Sequence, residues 1–127
     1  MTRFLLVCLG GAVGTGARCL LSGWVADAAG HAFPWGTLAV NVLGSFLLGA
    51  ILFAFPAPEG LSVTRRDALT TGVMGGFTTC STFNHEATRS LREGAFGTAG
   101  LYVAVTLVAC LVPGLAGIAL GRGLASR

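Results

Sequence analysis

Residues 72–83 combine glycines and hydroxyl side chains in a stretch where the chain is otherwise apolar. They read GVMGGFTTCSTF, which holds three glycines, three threonines and one serine. In hydrocarbon each unpaired backbone N–H or C=O group costs several kcal/mol, so a membrane helix breaks only against protein, water or an ion. Carbonyls freed by a break suit a small hard cation, and freed N–H groups suit an anion. The segment therefore predicts a broken transmembrane helix and a site for polar solutes.

Two further apolar segments carry polar side chains at a spacing of four residues, which places them on one face of a helix. The first stripe is Thr37, Asn41 and Ser45, and the second is Tyr102, Thr106 and Cys110. A buried side-chain amide such as that of Asn41 must find hydrogen-bond partners. The first stripe can hold helices together, at about 0.6–2 kcal/mol for each bond, or form a polar lane for a solute. The sequence leaves both interpretations open.

Phe83 and Arg18 are further candidates for contact with an ion. A phenyl ring has an electropositive edge, so Phe83 can meet an anion edge-on without offering a trapping charge, and plain packing is the alternative. Arg18 is about fifteen residues into an apolar segment, where an ionisable group normally faces a water-filled cavity or a partner. We expect it to line a vestibule, and snorkelling to the interface is the competing account.

The positions of the carboxylates argue against proton coupling, and the isolated histidines argue against catalysis. A proton-coupled exporter usually needs a titratable group at membrane depth, and only Glu86, three residues after Phe83, comes near the candidate site. His31 and His85 stand alone, each at an expected helix end, with no nucleophile beside them, so we predict no enzyme. All five carboxylates fall in connections or near span ends: Asp27, Glu59, Asp67, Glu86 and Glu93.

The elements that position these residues are membrane helices. The 127 residues are 54% hydrophobic and only 10% charged, whereas a soluble domain carries roughly 25% charged residues. A bilayer-spanning helix needs about 20 residues, and four apolar segments reach that length. We expect an all-α membrane protein with a broken third helix and one integral domain over 1–127. The four spans lie near 3–25, 35–55, 67–91 and 95–121.

The positive charge, a net +3 carried by arginine alone, is scattered and forms no stripe for nucleic acid. With both termini and the second connection on one side, five arginines face three on the other. This bias is too weak to fix one orientation, so it permits an antiparallel two-fold dimer. The five are Arg3, Arg65, Arg66, Arg122 and Arg127, and the three are Arg18, Arg89 and Arg92.

Three motifs in order resemble signatures of the Fluc (CrcB) family of fluoride channels. They are GGAVGTGAR over 10–18, GTLAVNVLG over 36–44 and GGFTTCSTF over 75–83. With the length and the number of spans, the resemblance covers essentially the whole chain. It implies a dual-topology homodimer in the cell (inner) membrane, with two antiparallel pores that pass fluoride, exclude chloride and lower cytoplasmic fluoride by passive efflux.

The resemblance also implies roles for single residues. Asn41 would line the pore and donate to the ion, and Phe83 would offer its ring edge. As a hypothesis about the mechanism, we expect Ser81 and Thr82 to add hydroxyl donors. Thr37, Tyr102, Thr106 and Cys110 match a polar track, in which serine is common at the last position. Gly75 and Thr78 match positions whose backbone carbonyls hold a structural sodium at the dimer centre, Arg18 matches a vestibule arginine, and Glu86 matches a conduction-linked acid.

Cys80 stands where the family motif has its first phenylalanine. A thiol is smaller and only a weak donor, so one ring-edge contact is missing. This departure implies either altered conductance or one subunit of a two-gene heterodimeric channel. A small proton-coupled multidrug-type exporter is the alternative outside the family, and it predicts a carboxylate inside the first span that this chain lacks. A non-transporting scaffold subunit would leave the polar stripe and the break without purpose.

Overall fold

The computed structural model describes residues 1–56 and 61–126, so Glu59 and Arg127, both considered above, lie outside the described residues. Within these ranges the regular structure is entirely helical. The elements are α1 (Thr2–Ala29), α2 (Trp35–Ala54), α3 (Val63–Asp67), a π-helical segment (Ala68–Met74), α4 (Gly75–Phe77), α5 (Cys80–Arg92) and α6 (Phe96–Ala125).

Among the described residues, three helices are long and apolar enough to cross a membrane. They are α1 with 28 residues, α2 with 20 and α6 with 30. Large apolar side chains such as Phe4, Leu20, Leu111 and Leu115 remain exposed on α1 and α6, as expected where a helix faces lipid. The third predicted span differs, because two successive helical halves replace one helix. The trailing half, α5, has 13 residues, fewer than a bilayer crossing requires.

The interruption predicted within residues 72–83 is confirmed at Thr78 and Thr79. Thr78 has φ −83° and ψ 156°, and Thr79 has φ −148° and ψ 112°, both extended conformations. The backbone before the break is π-helical over Ala68–Met74, a feature that often marks functional sites. The C-terminal end of the leading half, residues 63–77, therefore faces the N-terminal end of α5. The last carbonyls of the leading half and the first N–H groups of α5 lie close together at the break.

Close glycine contacts pack α1 against the leading half of the third span. A Cβ at Gly10 would lie 2.5 Å from the carbonyl oxygen of Ala68, and one at Gly14 would collide with the carbonyl of Val73. Small residues at this spacing let helices approach where lipid offers no hydrophobic driving force. This glycine pair therefore joins helices within one chain.

A second glycine pair packs α6 against α2. A Cβ at Gly117 would collide with the carbonyl of Phe46, and one at Gly121 would lie 2.5 Å from the carbonyl oxygen of Ala50. Helix α2 is the central element, since it also packs on α1 and on the third span. It carries Val40, which is fully buried. Thr37 and Asn41 of its polar stripe are also buried, so this part of the stripe lies inside the helix bundle.

Helix α5 differs from the other long helices because one face is polar and exposed. Ser81, Asn84, His85, Thr88 and Arg92 share that face and are all exposed in the single chain. Polar groups at membrane depth normally meet water or another protein surface instead of lipid. The expectation that His85 ends a helix was wrong, because it lies inside α5.

Candidate ion site at the helix break

Asn41 bridges α2 to the break through two hydrogen bonds with one residue. The backbone N–H of Thr79 donates to Oδ1 of Asn41 at 2.8 Å, and Nδ2 of Asn41 donates to the carbonyl of Thr79 at 3.0 Å. This pairing fixes which end of the amide is oxygen, since a backbone donor and a backbone acceptor face its two ends. The side chain satisfies backbone groups that an unbroken helix would have satisfied itself.

The hydroxyl of Thr79 caps the start of α5. Its Oγ1 accepts from the N–H of Thr82 at 3.1 Å and donates to Oγ1 of Thr82 at 2.9 Å. The N–H groups of Cys80 and Ser81 lie in the first turn of α5, where backbone N–H groups have no carbonyl partner within the helix. The amide end of the break therefore offers N–H donors of the kind that bind anions.

Arg18 reaches the other end of the break. Its Nε donates to the carbonyl of Gly76 at 3.1 Å, and Oγ1 of Thr15 lies 3.5 Å from the same oxygen. A cation is favourable there because the carbonyl end of a helix is partly negative. Arg18 thus binds the broken helix itself, a contact that the sequence did not predict.

Glu86 joins three helices through its carboxylate. Oε1 accepts from the hydroxyl of Thr37 on α2 at 2.8 Å, and Oε2 accepts from the hydroxyl of Tyr102 on α6 at 2.7 Å. Thr37 and Tyr102 are both buried. Hydrogen bonds to a charged group are stronger than neutral ones, so this cluster orients α5 against the bundle.

The ring of Tyr102 lies between two phenylalanines. Phe33 meets it edge to face with ring centroids 5.3 Å apart, and Phe83 lies at 5.0 Å with a tilt of 58°. Phe83 is half-buried and packs on the cluster of Leu38, Ala87 and Tyr102. The ring predicted to contact the ion is therefore next to the polar track and not turned away from it.

Thr106 and Cys110 are the remaining predicted track residues, and Ser45 belongs only to the polar stripe of α2. Thr106 is only 6% exposed, and within the described residues its hydroxyl has no hydrogen-bond partner. Cys110 is half-buried one turn further along α6. Ser45 donates back to the carbonyl of Asn41 at 2.7 Å. The buried hydroxyl of Thr106 is thus a donor without an assigned acceptor.

A cleft of about 580 Å³ opens towards this cluster from the end of the molecule where α1 and α5 finish. Thr37, Thr82 and Glu86 lie in its wall, and Arg89 is paired with Glu93 at 2.7 Å, from Nε to Oε1. Arg18 does not line this cleft, and its predicted vestibule role stays a prediction. The cleft connects the polar track to the exterior.

Four predicted residues at the break are exposed or half-buried in the single chain. Gly75, Cys80 and Ser81 are exposed, and Thr78 is half-buried with its hydroxyl donating to the carbonyl of Met74 at 2.9 Å. Sequence reasoning missed Thr79, which holds the break on both sides. A signal existed, since threonine is one of the residues preferred at the N-cap of a helix.

The long apolar helices define a multi-pass membrane protein. In it, one helix is interrupted at a polar cluster, and a cleft leads to that cluster. Residues 5–118 match the family described as CrcB-like protein, Camphor Resistance (CrcB). The chain belongs to this family.

Its relatives are ion channels and not enzymes, and they cover almost the whole chain. A fluoride-specific ion channel FluC of Anaeromyxobacter sp. (strain K) is 50% identical over 125 residues, covering 98% of this chain and 99% of the relative. The channel of the same name from Sorangium cellulosum is 49% identical, covering 98% of each. That of Geobacter sulfurreducens is 48% identical and covers 98% of this chain and all of the relative. In bacteria such a protein lies in the inner membrane.

Proposed function

We propose that this protein is a fluoride-selective ion channel that lowers cytoplasmic fluoride by passive efflux and so confers fluoride resistance. The observation that carries the proposal is the break at Thr78 and Thr79, held by Asn41 beside a buried polar track. Full-length relatives with the printed name fluoride-specific ion channel support the choice of ion.

Fluoride is small and strongly hydrated, so a pore must replace its water with donors without forming a deep well. Asn41 keeps one Nδ2 hydrogen, because an amide nitrogen has two and only one bonds Thr79. Thr106 contributes a hydroxyl that has no partner among the described residues. Thr82 keeps its own hydroxyl hydrogen, since its oxygen accepts from Thr79. The amides of Cys80 and Ser81 add main-chain donors.

Two predicted donors are occupied by Glu86. The hydroxyl hydrogens of Thr37 and Tyr102 both point to its carboxylate, so they serve an anion only when Glu86 moves. Phe83 offers a weakly positive ring edge beside Tyr102. Glu86 would thus decide when the outer part of the track accepts fluoride.

We propose that two copies assemble in opposite orientations as a homodimer with two antiparallel pores. The exposed polar face of α5, with Cys80 and Ser81 at its start, supports this proposal, because lipid is an unfavourable neighbour for it. A second chain covering that face would place the amide end of the break against protein or a water-filled path.

A structural sodium ion at the dimer centre fits the residues proposed to hold it, the backbone carbonyls of Gly75 and Thr78. Both residues are at the carbonyl end of the leading half, where helix carbonyls lack a following turn. Gly75 is exposed, and a Cβ placed there would meet no atom closer than 3.9 Å, so its surroundings are open. The ion would neutralise the negative ends of these carbonyl dipoles.

Cys80 supports a second version, in which the chain is one subunit of a heterodimeric fluoride channel. It is exposed at the break, where a partner chain could supply the missing aromatic edge. A proton-coupled exporter finds less support, because the carboxylate nearest the site, Glu86, is engaged by two hydroxyls.

Efflux from liposomes that contain only the purified protein tests the proposal. Fluoride should leave at a rate proportional to its gradient, with no proton gradient required, while chloride is retained. The absence of fluoride flux would contradict the homodimeric channel. Recovery of flux only after addition of a second, related chain would support the heterodimer.

A further inference from the structure

We propose that Asn41 and the hydroxyl of Thr79 are positioning residues that keep the carbonyls of Gly75 and Thr78 available to a cation. The inference rests on the sodium site of the proposed function and adds the reason why these two carbonyls remain free. It assigns Asn41 a second task besides contact with fluoride, and it assigns a role to Thr79.

Asn41 takes the N–H group that would otherwise donate to the carbonyl of Gly75. In an α-helix the N–H of residue 79 would bond the carbonyl of residue 75, four positions earlier. Here the N–H of Thr79 donates to Oδ1 of Asn41 at 2.8 Å. The second bond, from Nδ2 to the carbonyl of Thr79 at 3.0 Å, keeps that peptide from rotating back. The carbonyl of Gly75 is therefore left without its helical donor.

Thr78 loses its helical partner to the side chain of Thr79. The N–H of Thr82 would bond the carbonyl of Thr78 if α5 began one turn earlier. It donates instead to Oγ1 of Thr79 at 3.1 Å. A capping hydroxyl of this kind fixes where a helix begins, and here it also leaves the Thr78 carbonyl without that donor.

The neighbouring carbonyls are occupied by other side chains. Gly76 accepts from Nε of Arg18 at 3.1 Å, and Thr79 accepts from Asn41. Side chains around the break thus engage some carbonyls and leave those of Gly75 and Thr78 without helical donors. Unwound main-chain carbonyls of this kind are the usual ligands of sodium in membrane proteins.

The test compares Thr79→Val with Thr79→Ser in the full-length protein. Valine keeps the shape but removes the cap, so the N–H of Thr82 can close on the carbonyl of Thr78, whereas serine retains the hydroxyl. Thermal unfolding is followed as sodium replaces a large organic cation at constant ionic strength, without fluoride. The sodium midpoint is the concentration that gives half of the rise in unfolding temperature seen at the highest sodium concentration. Any ligand that binds only the folded state raises the unfolding temperature according to its affinity.

We expect Thr79→Ser to keep the sodium midpoint of the unmodified protein. Thr79→Val should raise it roughly tenfold or more, because one carbonyl ligand is lost to the cation. If Thr79→Val does not fold, Asn41→Leu tests the other carbonyl, because it returns the N–H of Thr79 to Gly75. Ser45→Ala is the matched control one turn away on α2, and it should leave the midpoint unchanged.

The outcomes separate this inference from the proposed function. If the unmodified protein conducts fluoride and is stabilised by sodium, but both variants keep its midpoint, the positioning role is wrong and the channel stands. If sodium does not stabilise the unmodified protein at all, the proposed cation site fails and the inference fails with it. Fluoride efflux, measured separately, decides the transport function in either case.

Discussion

At the scale of single residues, hydrogen-bond demand explains the site better than charge does. An uncharged amide at residue 41 satisfies both backbone groups of Thr79, and one carboxylate at residue 86 accepts from two buried hydroxyls. Sequence spacing correctly placed Thr37 and Asn41 on one face. It could not identify their partners, since these bonds join residues 49 and 38 positions apart.

The substitution Asn41→Asp tests whether residue 41 lines the ion path. A carboxylate about 4 Å from an anion repels it by about 4 kcal/mol at an effective dielectric constant of about 20. We therefore expect fluoride efflux from liposomes to fall by at least about tenfold. Ser45→Ala, which removes only a hydroxyl bonded to the carbonyl of Asn41, should conduct normally. Unchanged flux in Asn41→Asp would remove this side chain from the pathway.

The substitution Tyr102→Phe tests the Glu86 cluster. It removes the hydroxyl that donates to Oε2 at 2.7 Å and keeps the ring contacts. Loss of a hydrogen bond to a charged group should reduce the free energy of unfolding by about 1.5–3 kcal/mol, as measured by denaturant titration. Thr88→Val, on the exposed face of the same helix as Glu86, should have little effect. Equal stabilities would show that the cluster does not hold α5.

At the scale of elements, the break was predictable because glycine and threonine are concentrated where a membrane helix needs regular backbone. Its exact place was not, since it depends on Asn41 capturing the amide of Thr79. The π-helical segment over Ala68–Met74, which packs against α1, also had no local signal. The glycine pair of α1 was visible in the sequence, but whether it joined one chain or two was left open until the contacts were known.

Paired substitutions on α1 test this packing. Gly14→Ala forces a methyl group into the carbonyl of Val73, and such overpacking typically costs about 1–3 kcal/mol. Gly16→Ala, two residues away with no atom within 4 Å of the added carbon, should instead gain about 0.5–1 kcal/mol of helix stability. Unfolding midpoints of the two variants should therefore move in opposite directions. A shift in the same direction would contradict the proposed helix contact.

At the scale of the whole molecule, the orientation argument changes once Arg18 is located. The sequence count assigned it to one membrane surface, but its guanidinium bonds the carbonyl of Gly76 at the break. That surface then keeps Arg89 and Arg92. Arg89 is paired with Glu93, and on the opposite surface Arg3 is paired with Asp67, so ion pairing does not alter the difference. The bias towards one orientation is thus stronger than the sequence alone indicated, which makes orientation a sharp test of the homodimer.

Accessibility labelling measures orientation directly. In a chain whose native cysteines are replaced, Thr2→Cys, at the exposed start of α1, should react with an impermeant thiol reagent from both sides of the membrane if two orientations coexist. A matched cysteine at Phe96, the first residue of α6, should give the same division. Labelling of each position from one side only would contradict the dual-topology homodimer and favour a heterodimer with fixed orientations.

Currents across a planar bilayer that contains the purified protein, under independent gradients of fluoride, chloride and protons, test the central claim most directly. If fixed donors at the helix break replace the hydration water of fluoride alone, the reversal potential should follow the fluoride gradient alone. A reversal potential that moves with the proton or chloride gradient would contradict it.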